Sequence, residues 1–173
     1  MDIPELLGRS DLFGQFQPDA LEAVAAASRL AVFDRNERVF AEGDPADELY
    51  VVRSGRVAIA NRSPDGRESV MALMEPGDLF GDMSLFDGEG RSAEARALEA
   101  SEVVLVPYSP VRELFETRPQ LLWDVVAFLS RRLRATDSAL ADAVFLDVTG
   151  RTAKRLLELA GSQDEFVLPL TQE

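Results

Sequence analysis

The sequence predicts an α+β fold: a body of antiparallel β-strands, helices flanking it, and one long helix towards the C-terminus. Three observations carry that expectation. Between Ala31 and Val106, short β-rich runs are cut by Gly-, Pro- and Asp-containing turns, the pattern of an antiparallel sandwich or barrel. Ahead of them, apolar residues recur at helical spacing. Behind them, a helical period runs without a break from Gln120 to about Val144.

Met1 to Leu30 reads as helical, with Leu6, Leu7, Leu12, Phe13 and Phe16 preceding Pro18, and Leu21, Val24, Ala25 and Ser28 following it. Pro18 suits a helix start, where its missing N–H costs little. The predicted strands are Ala31–Phe33, Arg38–Phe40, Leu49–Val52, Val57–Ile59, Ser69–Leu73 and Val103–Val106. Asp65-Gly66 between two of them is a hairpin signal. A short helix is expected over Ser109–Arg118, with Ser109 as N-cap ahead of Pro110. Pro119 then opens the long helix.

Within that helix Leu122, Val126, Leu129, Leu133, Thr136, Leu140 and Ala143 step by 4, 3, 4, 3, 4 and 3 residues. This is a heptad seam, the narrow stripe of a two-helix coiled coil. Val125, Phe128 and Ala135 offer a second face that can pack within the same chain. Further on, Thr152–Ala160 reads as a basic-tipped helix and Phe166–Leu168 as a short strand.

The composition narrows the function classes. With 173 residues, 46% of them hydrophobic, the chain can bury the core of one domain, or of one domain and a fragment. No run of about 18 apolar residues and no leader precede the first elements, so a soluble, cytoplasmic protein with no membrane partner is expected. Cys and His are both absent, which removes thiol catalysis, disulfides and the commonest metal ligand and general base. No metal is expected, and an enzyme would have only carboxylates, Lys154 and tyrosines to work with. The net charge of −13 disfavours DNA binding by this chain, because such affinity rests on phosphate neutralisation by Lys and Arg.

The chemistry is concentrated between Gly77 and Ala97. Gly81 permits close backbone approach. Asp82 adds a carboxylate that accepts hydroxyl protons. After the turn Asp87-Gly88-Glu89-Gly90, Arg91 and Ser92 supply a guanidinium fork and a hydroxyl, a geometry suited to phosphate. A carboxylate on one side and Arg-Ser on the other match a ligand with sugar hydroxyls and one phosphate.

Phe80-Gly81-Asp82-Met83-Ser84-Leu85-Phe86 followed by Arg91-Ser92-Ala93 resembles the phosphate-binding cassette of the cyclic-nucleotide-binding fold, and more closely that of the CRP/FNR family of bacterial transcription regulators. The turns Glu42-Gly43-Asp44-Pro45 and Ser54-Gly55 resemble the early turns of the same fold, and Phe145–Arg151 its hinge. The resemblance implies an antiparallel β jelly-roll with flanking helices and a long C-terminal dimerisation helix. It divides the chain into N-terminal helices and β-roll (1–118), dimerisation helix (119–145), and hinge with the start of a DNA-binding domain (146–173). The helix-turn-helix expected after residue 173 is missing from this chain, through truncation or natural loss, so DNA would be met only through that absent domain.

The implied ligand is cAMP, alternatively cGMP. By resemblance, Arg91 takes the cyclic phosphate with Ser92 and with amides near Gly81, Met83 and Ser84. Asp82 receives the ribose hydroxyl and is held by Arg132, Thr136 meets the purine amino group, and Asp137 reaches the nucleotide of the other subunit. Met71, Met74 and Met83 would line the purine side, filled core being the alternative for each. Two departures matter: the family more often has Glu where Asp82 stands, and Asp137 replaces a neutral residue. A carboxylate at 137 only accepts hydrogen bonds and so favours the amino group of adenine. The rival expectations are a ligand-independent dimerisation module with a degenerate cassette, the same fold tuned to a dinucleotide, and an enzyme on a β-barrel scaffold.

Overall fold

The computed structural model describes residues 1–62 and 68–160. The expected Asp65-Gly66 turn and the Phe166–Leu168 strand lie outside the described residues. Two helices open the chain. Helix α1 (Ile3–Arg9) starts where the Asp2 side chain accepts the Glu5 N–H at 2.9 Å, one of the otherwise orphaned first-turn donors. Helix α2 (Pro18–Ala27) has Pro18 in its first turn, as expected, but stops at Ala27. Leu30, expected in a helix, lies instead in the first strand, β1 (Arg29–Phe33).

The remaining strands are β2 (Arg38–Phe40), β3 (Glu48–Ser54), β4 (Val57–Arg62), β5 (Glu68–Met74), β6 (Leu79–Phe80), β7 (Glu94–Ala97) and β8 (Ser101–Pro107), with a short helix α3 (Met83–Asp87) between β6 and β7. They form two four-stranded sheets, β1-β8-β3-β6 and β2-β7-β4-β5, with every pairing antiparallel. This is the expected jelly-roll.

The first sheet is the central layer. On β3, Leu49 and Val51 face the helices while Tyr50 and Val52 face the other sheet; on β8, Val104 and Val106 face the helices while Val103 and Leu105 face the other sheet. Both faces are therefore buried, which is why Leu-Tyr-Val-Val and Val-Val-Leu-Val are apolar at every position rather than alternating. Burying a side chain of this size contributes about 1.5–3 kcal/mol.

Strands β6 and β7 were not legible from the sequence. Glu-Ala-Arg-Ala has weak strand propensity, yet β7 pairs with both β2 and β4. Ala95 and Ala97 are buried against the core, and Glu94 is gripped on the opposite face by Arg96 and Arg38.

Helix α4 (Tyr108–Thr117) follows β8 directly, capped by Pro107. Ser109 is therefore inside the first turn and not the N-cap, because the Tyr108 N–H still belongs to the sheet edge, donating to Asp47 O at 2.8 Å. A 3-10 turn at Pro119–Leu121 leads into α5 (Leu122–Phe145), and α6 (Val148–Ala160) follows. The chain divides into two compact units, Met1–Phe128 and Leu129–Glu173. In the first, Val125 and Phe128 of α5 join the helix-side core. In the second, α6 begins at Val148, earlier than expected, because the Asp147 side chain accepts the Gly150 N–H at 2.7 Å. Lys154 ties α6 back to α5 through Asp142 and Ser138.

The β3–β4 turn sets a measurable constraint. Gly55 has φ +81°, and a Cβ there would lie 2.7 Å from Ala100 O and against Ser101; Gly43 also has φ +81° but faces open space. A left-handed Ala costs about 1–2 kcal/mol, and backbone overlap adds about 1–3 kcal/mol. Gly55→Ala should therefore lose about 3 kcal/mol or more in chemical denaturation, and Gly43→Ala only the conformational part. Equal losses would show that the turn can relax away from Ala100.

Candidate functional site

The site grows from Arg91, at the start of the segment leading into β7. Its backbone is fixed first: Gly43 N–H donates to Arg91 O at 2.8 Å, and Arg91 N–H donates to Asp44 O at 3.0 Å. The neighbouring Gly90 packs so closely that a Cβ would sit 3.0 Å from Gly43 O. The β2–β3 turn thus clamps Arg91 through its backbone.

The Arg91 side chain is buried, 4% exposed. Nη1 donates to Gly81 O at 2.8 Å and to the Tyr108 hydroxyl at 3.1 Å; Nη2 donates to Glu48 O at 2.7 Å and to the Tyr50 hydroxyl at 3.3 Å. Among the described residues, every hydrogen-bond partner of the guanidinium is thus an uncharged oxygen. Nε, also buried, has no partner among the described residues. The guanidinium carbon lies 4.4 Å from the Phe40 ring centre and 5.1 Å from that of Tyr50. Phe40, Tyr50 and Phe80 pack on one another, Tyr50 and Phe80 stacked at 5.0 Å.

Gly81 performs the close approach expected of it, but towards this arginine. At φ +74° its Cβ would meet Arg91 Nη1 at 2.8 Å and the Tyr50 ring at 3.0 Å. Its carbonyl also accepts the Tyr108 hydroxyl. Burial lifts the Tyr50 hydroxyl pKa to about 12, with Glu48 adding to the rise and Arg91 opposing it. Tyr108 is raised for the same first reason, opposed by Arg91 and by a hydrogen bond with Ser84, while the nearby Asp82 charge adds to the rise. Both phenols stay protonated at neutral pH and can serve Arg91 as neutral acceptors.

Asp82 is buried at the N-cap position of α3, where its side chain does not cap the helix. Ser84 Oγ donates to Gly90 O at 3.3 Å and closes the cassette turn. Met83 is 47% exposed, and its sulfur accepts a hydrogen bond from Ser92 Oγ at 3.4 Å. Gly81, Asp82, Met83, Ser84, Arg91 and Ser92 are thus brought together. Met74 packs into the inter-sheet core, whereas Met71 is exposed on β5.

Arg132, Thr136 and Asp137 are exposed residues of α5 in the second unit. There the Thr136 hydroxyl donates to Arg132 O at 3.0 Å. The heptad seam is uncovered along its length: Leu122, Val126, Leu129, Leu133 and Leu140 are between 40 and 63% exposed, and Ala143 is exposed as well. Ala135, expected to help Val125 and Phe128 on the other face, is exposed too. Among the described residues, no group of three or more acidic side chains could hold a metal ion, and no helix is long and apolar enough to cross a membrane.

Sequence reasoning missed Phe40, Glu48, Tyr50, Phe80 and Tyr108. The one available signal was scarcity: the chain has two tyrosines, and both meet Arg91.

Comparison with known proteins places this geometry. Residues 30–118 match the family model of the cyclic nucleotide-binding domain. A CRP-like cAMP-activated global transcriptional regulator of Mycobacterium tuberculosis is 38% identical over 172 residues, covering 98% of this chain and 77% of the relative. The Thermus thermophilus catabolite activator protein superposes with a TM-score of 0.68 at 32% identity, over 86% of this chain and 70% of that one. The Xanthomonas campestris regulator CLP, described as c-di-GMP responsive, gives a TM-score of 0.69 at 30% identity, over 88% and 77%. With a buried arginine at the heart of the matched cassette and this similarity along nearly its whole length, the chain belongs to the CRP/FNR family of transcription regulators and carries that family's cyclic nucleotide-binding domain.

Proposed function

We propose that this chain is a non-enzymatic, cytoplasmic sensor and homodimerisation module that binds cAMP and relays binding through α5 and the residues after it to a DNA-reading domain. The observation that carries the ligand reading is the state of Arg91. A buried guanidinium whose hydrogen-bond partners among the described residues are all neutral, and whose Nε has no partner among them, supports the reading of an anion site. Burial of a polar group without a partner costs about 1–3 kcal/mol, more for a charged one, and a phosphate would recover that through charge-assisted bonds.

In this reading Arg91 and Ser92 hold the cyclic phosphate, with backbone amides near Gly81 and the start of α3. Asp82 accepts the ribose hydroxyl and is steadied by Arg132. Met71, Met74 and Met83 border the purine, while Thr136 meets its amino group and Asp137 approaches it from the second protomer. The dimer is supported by the uncovered seam: five large aliphatic side chains on one stripe of α5 face solvent in the single chain. A nucleotide that touches α5 of both protomers would bind one helix arrangement better than another, which is the requirement for a relay.

Calorimetric titration tests the ligand. The native protein should bind cAMP more tightly than cGMP or c-di-GMP, and Arg91→Ala should lower cAMP affinity by about 100-fold, the worth of losing a buried charge-assisted contact of about 3 kcal/mol. Asp137→Ser should shrink the preference for cAMP over cGMP. Heat from none of the three nucleotides would leave the ligand-independent dimerisation module as the better reading.

The seam makes its own prediction. The native chain should sediment as a dimer at micromolar concentration, and the pair Leu129→Glu with Leu133→Glu as a folded monomer, since charges at seam positions cannot be paired across it. A native monomer would overturn the homodimer.

For the relay, cAMP should slow amide exchange across residues 132–150. Identical exchange with and without cAMP in a protein that binds it would sink the relay alone.

A further inference from the structure

Arg91 is held in place by rings. Among the described residues, Phe40 and Tyr50 present aromatic faces to the guanidinium carbon, Phe40 the closer at 4.4 Å. Phe40 in turn rests on Tyr50 at 5.3 Å and on Phe80 at 6.0 Å, and the β2–β3 turn that follows Phe40 clamps the Arg91 backbone. A ring face attracts a cation through its quadrupole, and the more strongly when both are desolvated. Unlike a carboxylate, it leaves the positive charge unneutralised.

The consequence concerns what the cation can still do. A carboxylate at this position would form a tight pair that an incoming phosphate must displace. Carbonyls, phenols and ring faces stabilise the guanidinium while leaving its full charge for an arriving anion. Of the four hydrogen bonds it makes among the described residues, that to Tyr50 at 3.3 Å is the longest, and it shares Nη2 with the guanidinium edge that carries Nε, which has no partner among those residues. Nε and Nη2 are the side-on pair of donors that a phosphate accepts from with two oxygens.

We propose that Phe40 is a positioning residue for the phosphate-binding cation: its ring face holds Arg91 in the site without neutralising it, so that the Nε–Nη2 edge receives the anionic group of the ligand. This rests on the cyclic-nucleotide reading given above. Phe40 acts on the phosphate only through Arg91. Its contribution is therefore confined to ligands that carry an anionic phosphate, and an aromatic replacement preserves it.

The test uses the full chain with Phe40→Leu, which keeps an apolar side chain but removes the ring face, and Phe40→Tyr, which keeps the face. Phe40→Leu should weaken cAMP binding by about ten- to thirty-fold, while Phe40→Tyr should stay within about two-fold of native. A neutral alkyl ester of cAMP, which lacks the phosphate charge, should bind native and Phe40→Leu alike. An equal loss for cAMP and the neutral ester would mean that Phe40 merely shapes the pocket, and would overturn the proposal.

A second readout needs no ligand. The Arg91 Nε–H resonance, identified by its disappearance in Arg91→Lys, should be shifted upfield by the Phe40 ring current in the free protein and move back in Phe40→Leu. An Nε–H signal unmoved by Phe40→Leu would also overturn the proposal. A shifted Nε–H in a protein that binds no cAMP would support the placement of the cation by Phe40 while removing the nucleotide reading.

Discussion

Taking a guanidinium out of water costs several kcal/mol unless the surroundings replace its hydration, and the first half of this fold is arranged around meeting that cost for Arg91. The carbonyls of Gly81 and Glu48, the hydroxyls of Tyr50 and Tyr108, and the faces of Phe40 and Tyr50 come from β2, β3, the residue after β6, and α4. Each constrains its own element in turn. Gly81 suits glycine because its φ is +74° and a Cβ there would come within 2.8 Å of Arg91 Nη1. The two phenols must stay protonated to serve as neutral partners, and burial raises both above the ordinary range.

The central sheet makes that arrangement rigid. Because β3 and β8 bury both faces, Tyr50 has its backbone locked between the helix-side core and the inter-sheet core. Close-packed interiors yield little, so the distances around Arg91 are set by the same packing that stabilises the fold. The cassette helix α3 is different in kind. It is five residues long, ends at a left-handed glycine, and exposes Met83 and Phe86. Its other face, with Ser84 and Leu85 buried, seats it on the frame.

Helix α5 belongs to both compact units. Its first turns bury Val125 and Phe128 in the core of the β-roll unit, while its seam residues remain uncovered. One sequence period therefore supplies two faces, an intramolecular one used in the single chain and an apolar stripe available to another helix. The α5–α6 connection is held locally by Asp147 capping α6 and by Lys154 bridging to Asp142.

What the sequence by itself determined was whatever depends on local chemistry and period. The β2 boundaries and the long helix after Pro119 follow from neighbours within a few residues, and both stand as read; the heptad spacing and the run from Gly81 to Ser92 are likewise local patterns of the sequence. The tertiary structure decided what depends on residues far apart in the chain. Strand β7 exists because two partner strands accept a segment of poor intrinsic propensity, and Ser109 lost the cap because Tyr108 is still bonded to Asp47 across the sheet. Phe40, Tyr50 and Tyr108 lie 51, 41 and 17 residues from Arg91 in the chain. No local pattern marks a tyrosine as a neutral partner or a phenylalanine as a cation's platform. Those roles arise only when sheet register brings the side chains around one buried charge, because burial is what makes an uncharged oxygen or a ring face count.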